Sequence, residues 1–227
     1  MKKSIKSIAL LAVLTCFLSA GLLMAGKPFE GVITYKISYP DSKFTESQLA
    51  MFPKMLTVSI KAPKSKTEIS TSMGNQVEIM DYNDKSKVGL INMMGQKYAI
   101  KQTYEEILKE NADEAKPTVV LSPETKTIAG FLCKKATVTV DDDGQKTTYE
   151  VYYCNELGSA IANFDNPVYK DIDGVLMEFS TKTPQFTMKF SATDVARKSI
   201  STKEFEIPSD YTVTTKEELK SKFGGKE

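Results

Sequence analysis

Residues 128–157 read IAGFLCKKATVTVDDDGQKTTYEVYYCNEL, and the dipeptide Asp143-Gly144 at their centre decides how the stretch folds. Asp-Gly between two alternating runs is a strong hairpin signal, because both central residues of a type I′ turn need positive φ. With those two residues as the loop, residue i faces residue 287 − i. Asp141 then meets Lys146, Thr139 meets Thr148, Thr137 meets Glu150 and Lys135 meets Tyr152. The other face pairs Val140 with Thr147, Val138 with Tyr149 and Ala136 with Val151. One face is polar and charge-complementary, the other mainly apolar, as a half-buried antiparallel sheet requires. Ala136, Val138, Val140, Tyr149 and Val151 are therefore the expected inward face, toward a core or a ligand.

The same register sets Cys133 opposite Cys154 in a non-hydrogen-bonded pair, with Cα atoms about 4.5 Å apart, near the short end of what a disulfide spans. A structural disulfide is the leading expectation. Two free thiols or a redox pair are the alternatives, but the pair lacks CxxC spacing and a helix N-terminus to lower a thiol pKa.

The compartment bears on that choice. Lys2, Lys3 and Lys6 precede an apolar run from Ile8 to Ala25, the layout of a bacterial secretory signal over residues 1–25. Cleavage after Ala25 or Ala20, retention as an anchor and lipidation at Cys16 after the weak lipobox Val13-Leu14-Thr15 are the three possible fates. Membrane association follows only from the last two. Export leaves two cysteines in an oxidising compartment, where an even pair is more often a bridge than a metal or catalytic site.

The remainder, residues 26–227, reads as one domain. Of the 227 residues, 41% are hydrophobic and 26% charged, the balance of a globular chain with a sizeable core. Without the first 25 residues the basic count is 30 − 3 = 27 against 29 acidic, a net charge of −2. That near-neutral balance lacks the basic footprint of a nucleic-acid binder.

Glu30 to Tyr39 alternates as a strand. Thr45 and Gln48 form a capping box for a short helix that Pro53 stops. A meander of strands follows over Met55–Ala62, Lys64–Met73, Gln76–Tyr82, Lys87–Met93 and Lys97–Gln102, punctuated by Pro63, Gly74-Asn75, Asn83-Asp84 and Met94-Gly95. Thr103 and Glu106 cap a second helix from Tyr104 to about Ala115, which Pro117 cannot continue. Val119 to Leu121 is apolar, and Gly158 to Asp173 is loop-rich. Two more strands span Val175–Thr181 and Gln185–Val195, and Phe205 to Tyr211 is extended. A last helix begins at Thr214 or Thr215 and ends at Gly224-Gly225. The elements predict an α+β fold: one strongly curved antiparallel sheet with two or three short helices against its concave face.

Histidine is absent, which removes the commonest general base and the commonest zinc ligand together. No phosphate-binding or dinucleotide-binding glycine motif occurs. Asp141-Asp142-Asp143-Gly144 reads as a solvated hairpin tip rather than a calcium loop, and Asp171-Ile172-Asp173-Gly174 as a turn, since Tyr169 stands where an EF-hand would place its first ligand. No enzyme and no cofactor are expected. Ten methionines, among them Met51, Met55, Met80, Met93, Met94, Met177 and Met188, suit either an ordinary core or an adaptable apolar cavity.

Four stretches carry a family resemblance. They are FEGVITY at residues 29–35, TKTIAGFLCKKA at 125–136, GVLME at 174–178 and FEIPSDY at 205–211. In these the chain resembles the exported bacterial proteins grouped as domain of unknown function 4412. That family is similar in layout to the Lol-type lipoprotein carriers, which implies a half-open β-barrel whose helices cover an apolar concavity. The resemblance implies no catalytic residues. It points to a lipid or lipoprotein acyl chain as partner. The competing expectation is a structural or interaction module of the envelope, its sheet filled by its own side chains and its outer face meeting a protein partner.

Overall fold

The computed structural model describes residues 28–71, 74–93 and 95–223, so the secretory segment expected over residues 1–25 lies outside the described residues. Twelve strands form one sheet: β1 (Glu30–Ser38), β2 (Met55–Lys61), β3 (Lys64–Thr71), β4 (Gly74–Asp81), β5 (Ser86–Met93), β6 (Gln96–Gln102), β7 (Thr118–Ile128), β8 (Phe131–Asp142), β9 (Gln145–Cys154), β10 (Val175–Lys182), β11 (Thr187–Arg197) and β12 (Thr212–Thr214). Their order is β12-β6-β5-β4-β3-β2-β1-β11-β10-β9-β8-β7. Neighbours are antiparallel except β12 and β6, which run parallel. The sheet is curved and unclosed, with β7 at one edge and the three-residue β12 at the other.

The central hairpin has the register its turn dictates. Nine pairs run from Lys134↔Tyr153 to Asp142↔Gln145, each summing to 287. Asp143 and Gly144 take φ of 48° and 86°, and the Gly144 N–H donates to Asp141 Oδ1 at 2.9 Å. Ala129 and Gly130, at φ 48° and 85°, make a second two-residue turn between β7 and β8. β7 is longer than its apolar residues indicate and contains Pro123. Its pairing with β8 breaks between Leu121 and Thr125. Proline is tolerated there because an edge strand has N–H groups with no ladder partner to lose.

Among the described residues there are three α-helices: α1 (Glu46–Leu49), α2 (Tyr104–Glu110) and α3 (Lys216–Phe223). Thr45 and Thr103 both make the capping box their sequences specify. α2 is shorter than expected. Asn111 is its C-cap, with φ −93° and ψ 8°, and donates a side-chain hydrogen bond to the Asp165 carbonyl instead of continuing the helix toward Pro117.

Cross-strand register assigns side chains to faces. Gly31, Ile60, Ser65, Met80, Lys87 and Gln102 form one transverse row across β1–β6. Ile33, Val58, Thr67, Glu78, Gly89 and Ile100 form the next row on the same face. These rows are apolar at β2 and mixed beyond it, where Ser65, Thr67, Glu78, Lys87 and Gln102 stand among Met80 and Ile100, and they face the concavity. On the convex side, Ile79, Leu90 and Ala99 are buried beneath Ile200 and Phe205. The segment leaving β11 thus crosses the back of the sheet before β12 joins β6. Phe205, expected in an extended stretch, ends a 3-10 turn over Thr202–Phe205 and anchors that crossing.

Candidate ligand cavity

The concave face holds a cavity of about 460 Å³. Leu56, Val58, Ile60, Ile69 and Met80 from β2–β4 form one wall, and Tyr149, Leu176, Phe179 and Phe190 from β9–β11 form the other. Strands so far apart in the sheet can share one cavity only because the sheet curls. Phe179 stacks on Phe190 with centroids 4.7 Å apart and meets Tyr35 and Tyr169 edge-on at 6.2 and 5.8 Å, a rigid aromatic floor. Tyr35 donates its buried hydroxyl to the Leu176 carbonyl at 2.8 Å, and burial pushes its pKa up, so the phenol stays neutral.

Residues 155–174 lie over this floor. Hydrogen bonds within the segment and from it to β10 help fix it there. Asn163, itself buried, donates to the carbonyls of Ile172 and Gly174, both at 2.9 Å. Tyr169 Oη donates to the Ser180 carbonyl at 2.6 Å and accepts from the Ser180 N–H at 3.3 Å. The composition of this segment announces a loop; the Asn163 bonds shape it from within, and the contacts of Tyr169 with Ser180 and of Asp165 with Lys87 and Asn111 seat it as a cover.

One end of the cavity is polar. Glu78, Asp165, Ser65 and Tyr82 line it. Lys87 stands behind them with its Nζ 3.1 Å from Asp165 Oδ2 and 3.7 Å from Glu78 Oε2. Burial opposes the Lys87 charge, but Glu78 and Asp165 outweigh it and hold the lysine pKa above its ordinary value. Burial raises the Glu78 pKa despite Lys87. Burial likewise raises that of Tyr82, although the Ser65 hydroxyl hydrogen-bonds it. A larger hollow, about 660 Å³, opens at the rim between β9 and the β10–β11 hairpin, but Lys146, Glu150, Lys182, Gln185 and Lys189 give it a charged, polar wall.

Of the hairpin residues expected to face inward, Ala136, Val138 and Val151 are fully buried. They pack with Tyr153, Tyr169, Ile172 and Leu176 in a closed cluster beside the cavity. Tyr149 is half-buried and reaches the cavity wall; Val140 is half-buried near the turn. Cys133 and Cys154 are buried thiols in the adjoining cluster with Ile33, Ile128, Leu157 and Val175. Tyr152, on the nominally polar face, is buried as well, its hydroxyl donating to Glu124 at 2.7 Å. The base of the hairpin is therefore covered on both sides. Of the methionines, Met80 lines the cavity and Met177 is fully buried, whereas Met51 and Met55 are exposed. The wall contributed by β2 and β3 was visible only as alternation, Leu56-Val58-Ile60, with nothing to say which face was concave.

No family model matches the chain, so the resemblance to domain of unknown function 4412 gains no support from that comparison. No curated protein matches it either. Among solved structures it is similar to LprF from Mycobacterium bovis, at 10% identity and a TM-score of 0.33, covering 81% of this chain and 90% of that one. It is also similar to a beta-barrel-like protein of domain of unknown function DUF1849 from Brucella abortus, at 8% identity and a TM-score of 0.34, covering 76% of this chain and 99% of that one.

Proposed function

We propose that the chain is a non-enzymatic exported envelope protein that holds an apolar ligand, a lipid or acyl chain, in the concavity of its sheet. The cavity carries this reading. At about 460 Å³ it falls within the range of ligand pockets, and its walls are apolar and aromatic with polar groups gathered at one end. A self-filled core would leave no such volume, because protein interiors pack to crystal density.

Native mass spectrometry of protein purified from its own envelope tests the reading, with Val58→Phe as the control. A bound lipid mass in the parent, diminished when the phenyl ring fills the cavity, is the expected result. An unliganded mass together with no uptake of an uncharged acyl probe would overturn it.

Export is part of the proposal. The intact mass of the envelope-fraction protein should start near residue 26. A mass retaining Met1 would mean an anchor, and a diacylglyceryl mass at Cys16 a lipoprotein.

The second reading, an interaction module, is favoured by one observation. The edge strand β7 and its neighbour β8 expose the large apolar side chains of Val120, Leu121 and Leu132, and β7 presents unpaired strand N–H and C=O groups. Its partner would be an envelope protein that adds a strand.

A further inference from the structure

Glu78 is an unusual group to find in the wall of an acyl-chain cavity. It stands in the middle of β4, on the concave face, in the row of Val58 and Thr67. Its side chain keeps 37% of its surface accessible, and it lines the cavity. Its ion-pair partner Lys87 lies closer to Asp165, at 3.1 Å, than to Glu78, at 3.7 Å. Lys87 is spent mainly on the other carboxylate, so the two acids and one lysine leave this end negative. Glu110 and Lys216, farther back, are paired with each other at 2.7 Å. Lys182 also lines the cavity, at the end of β10 opposite Thr187.

The strand opposite leaves room for a visitor. Gly89 is the direct cross-strand partner of Glu78, and a Cβ built on it meets nothing within 4 Å. A side chain there would have screened the carboxyl. Its absence leaves open space beside Glu78, on the same face as the apolar wall.

We propose that Glu78 is the head-group site of the cavity and selects single-chain amphiphiles whose heads donate hydrogen bonds and carry no negative charge, such as a monoacylglycerol, over free fatty acids. The inference rests on the reading that the cavity holds an acyl chain. The chain lies along Leu56, Ile69, Phe179 and Phe190, and a hydroxyl head donates to Glu78. A fatty-acid carboxylate in the same place would set two negative charges together where water is scarce.

The test is competition against a fluorescent acyl probe with an uncharged head, near neutral pH, using a monoacylglycerol and a fatty acid of equal chain length. The parent protein should bind the fatty acid about tenfold or more weakly than the monoacylglycerol, as like-charge juxtaposition requires. Glu78→Gln should narrow that ratio mainly by improving fatty-acid binding, and Gly89→Leu, which fills the space beside the carboxyl, should weaken monoacylglycerol binding. A parent that binds both equally, or the acid better, overturns the head-group assignment while leaving the cavity reading intact. A Glu78→Gln protein with an unchanged ratio overturns it too. Failure to bind either amphiphile or the probe would instead remove the acyl-chain reading.

Discussion

Cys133 and Cys154 lie side by side at the base of the β8–β9 ladder as buried thiols in side-chain contact, and Cys133 Sγ also donates to the Phe131 carbonyl at 3.4 Å. The contact divides them electrostatically. The Cys133 hydrogen bond lowers the pKa of Cys154, and the N–H groups of Glu156 and Leu157 add to the effect. The same contact, with burial, raises that of Cys133.

Oxidation should join them. Protein recovered from an oxidising compartment is expected to yield a single Cys133–Cys154 linked peptide on non-reducing mapping. The bridge closes a loop of about 20 residues, worth about 3 kcal/mol in the chain-entropy account and less if the hairpin persists in the unfolded chain. Two alkylatable thiols in oxidised protein would refute it.

Val138 and Thr139 are neighbours with opposite surroundings. Val138 is fully buried in the closed cluster, whereas the Thr139 hydroxyl pairs with Thr148 on the open face. Val138→Asp should therefore cost several kcal/mol and Thr139→Asp little. Val138→Ala should lose about 1 to 3 kcal/mol yet leave acyl-probe binding unchanged, because Val138 itself does not line the cavity. Denaturant unfolding checks both, and equal tolerance of aspartate at 138 and 139 would show the ladder to be out of register.

Asn163→Ala takes one donor group away from two buried carbonyls, Ile172 and Gly174. The Ile172 carbonyl keeps the Gly174 N–H at 3.1 Å, but the buried Gly174 carbonyl loses its side-chain donor, and the expected cost is about 1 to 3 kcal/mol. Because residues 155–174 cover the cavity, the same variant should release a bound acyl probe faster, measured by stopped-flow displacement. A destabilised protein with an unaltered release rate would mean that this segment does not gate the ligand.

Glu78 links the cavity to pH. Burial holds its carboxyl above the usual 4.5 in the folded chain, so the folded state holds the proton more tightly than the unfolded one. Ionising it costs stability. That cost is absent below about pH 4.5, grows as pH rises toward the folded value and is constant above it. Glu78→Gln should therefore melt higher than the parent near neutral pH, with the advantage fading in acid. Paired thermal melts from about pH 4 to pH 8 decide it, and a pH-independent difference would contradict the assignment.

The parts of this fold written in local sequence were legible, and those made by distant contacts were not. Asp143-Gly144 fixed a register because a two-residue turn leaves one pairing that keeps Val138 and Val151 on the same side. The capping boxes at Thr45 and Thr103 were equally local. The Ala129-Gly130 turn escaped notice because alanine seldom takes positive φ, and β7 because Pro123 disguises an edge strand. Tyr169 and Ile172 sit in a run without periodicity; they are buried only because Ser180 and Leu176 lie beneath them. The cavity needs β2–β4 and β9–β11 to face one another, a fact of curvature that no window of sequence contains.

The unequal edges of the sheet limit what it can assemble into. β7 is an edge strand of eleven residues, interrupted at Pro123, whereas β12 spans three and pairs with Tyr98 to Ile100. A filament grows by joining one edge of each copy to a different edge of the next, and a three-residue strand is a poor template for that. Two copies that met through β7 would be related by a two-fold axis and would bury the one long edge each possesses. Strand pairing in this protein would therefore terminate at a dimer instead of propagating.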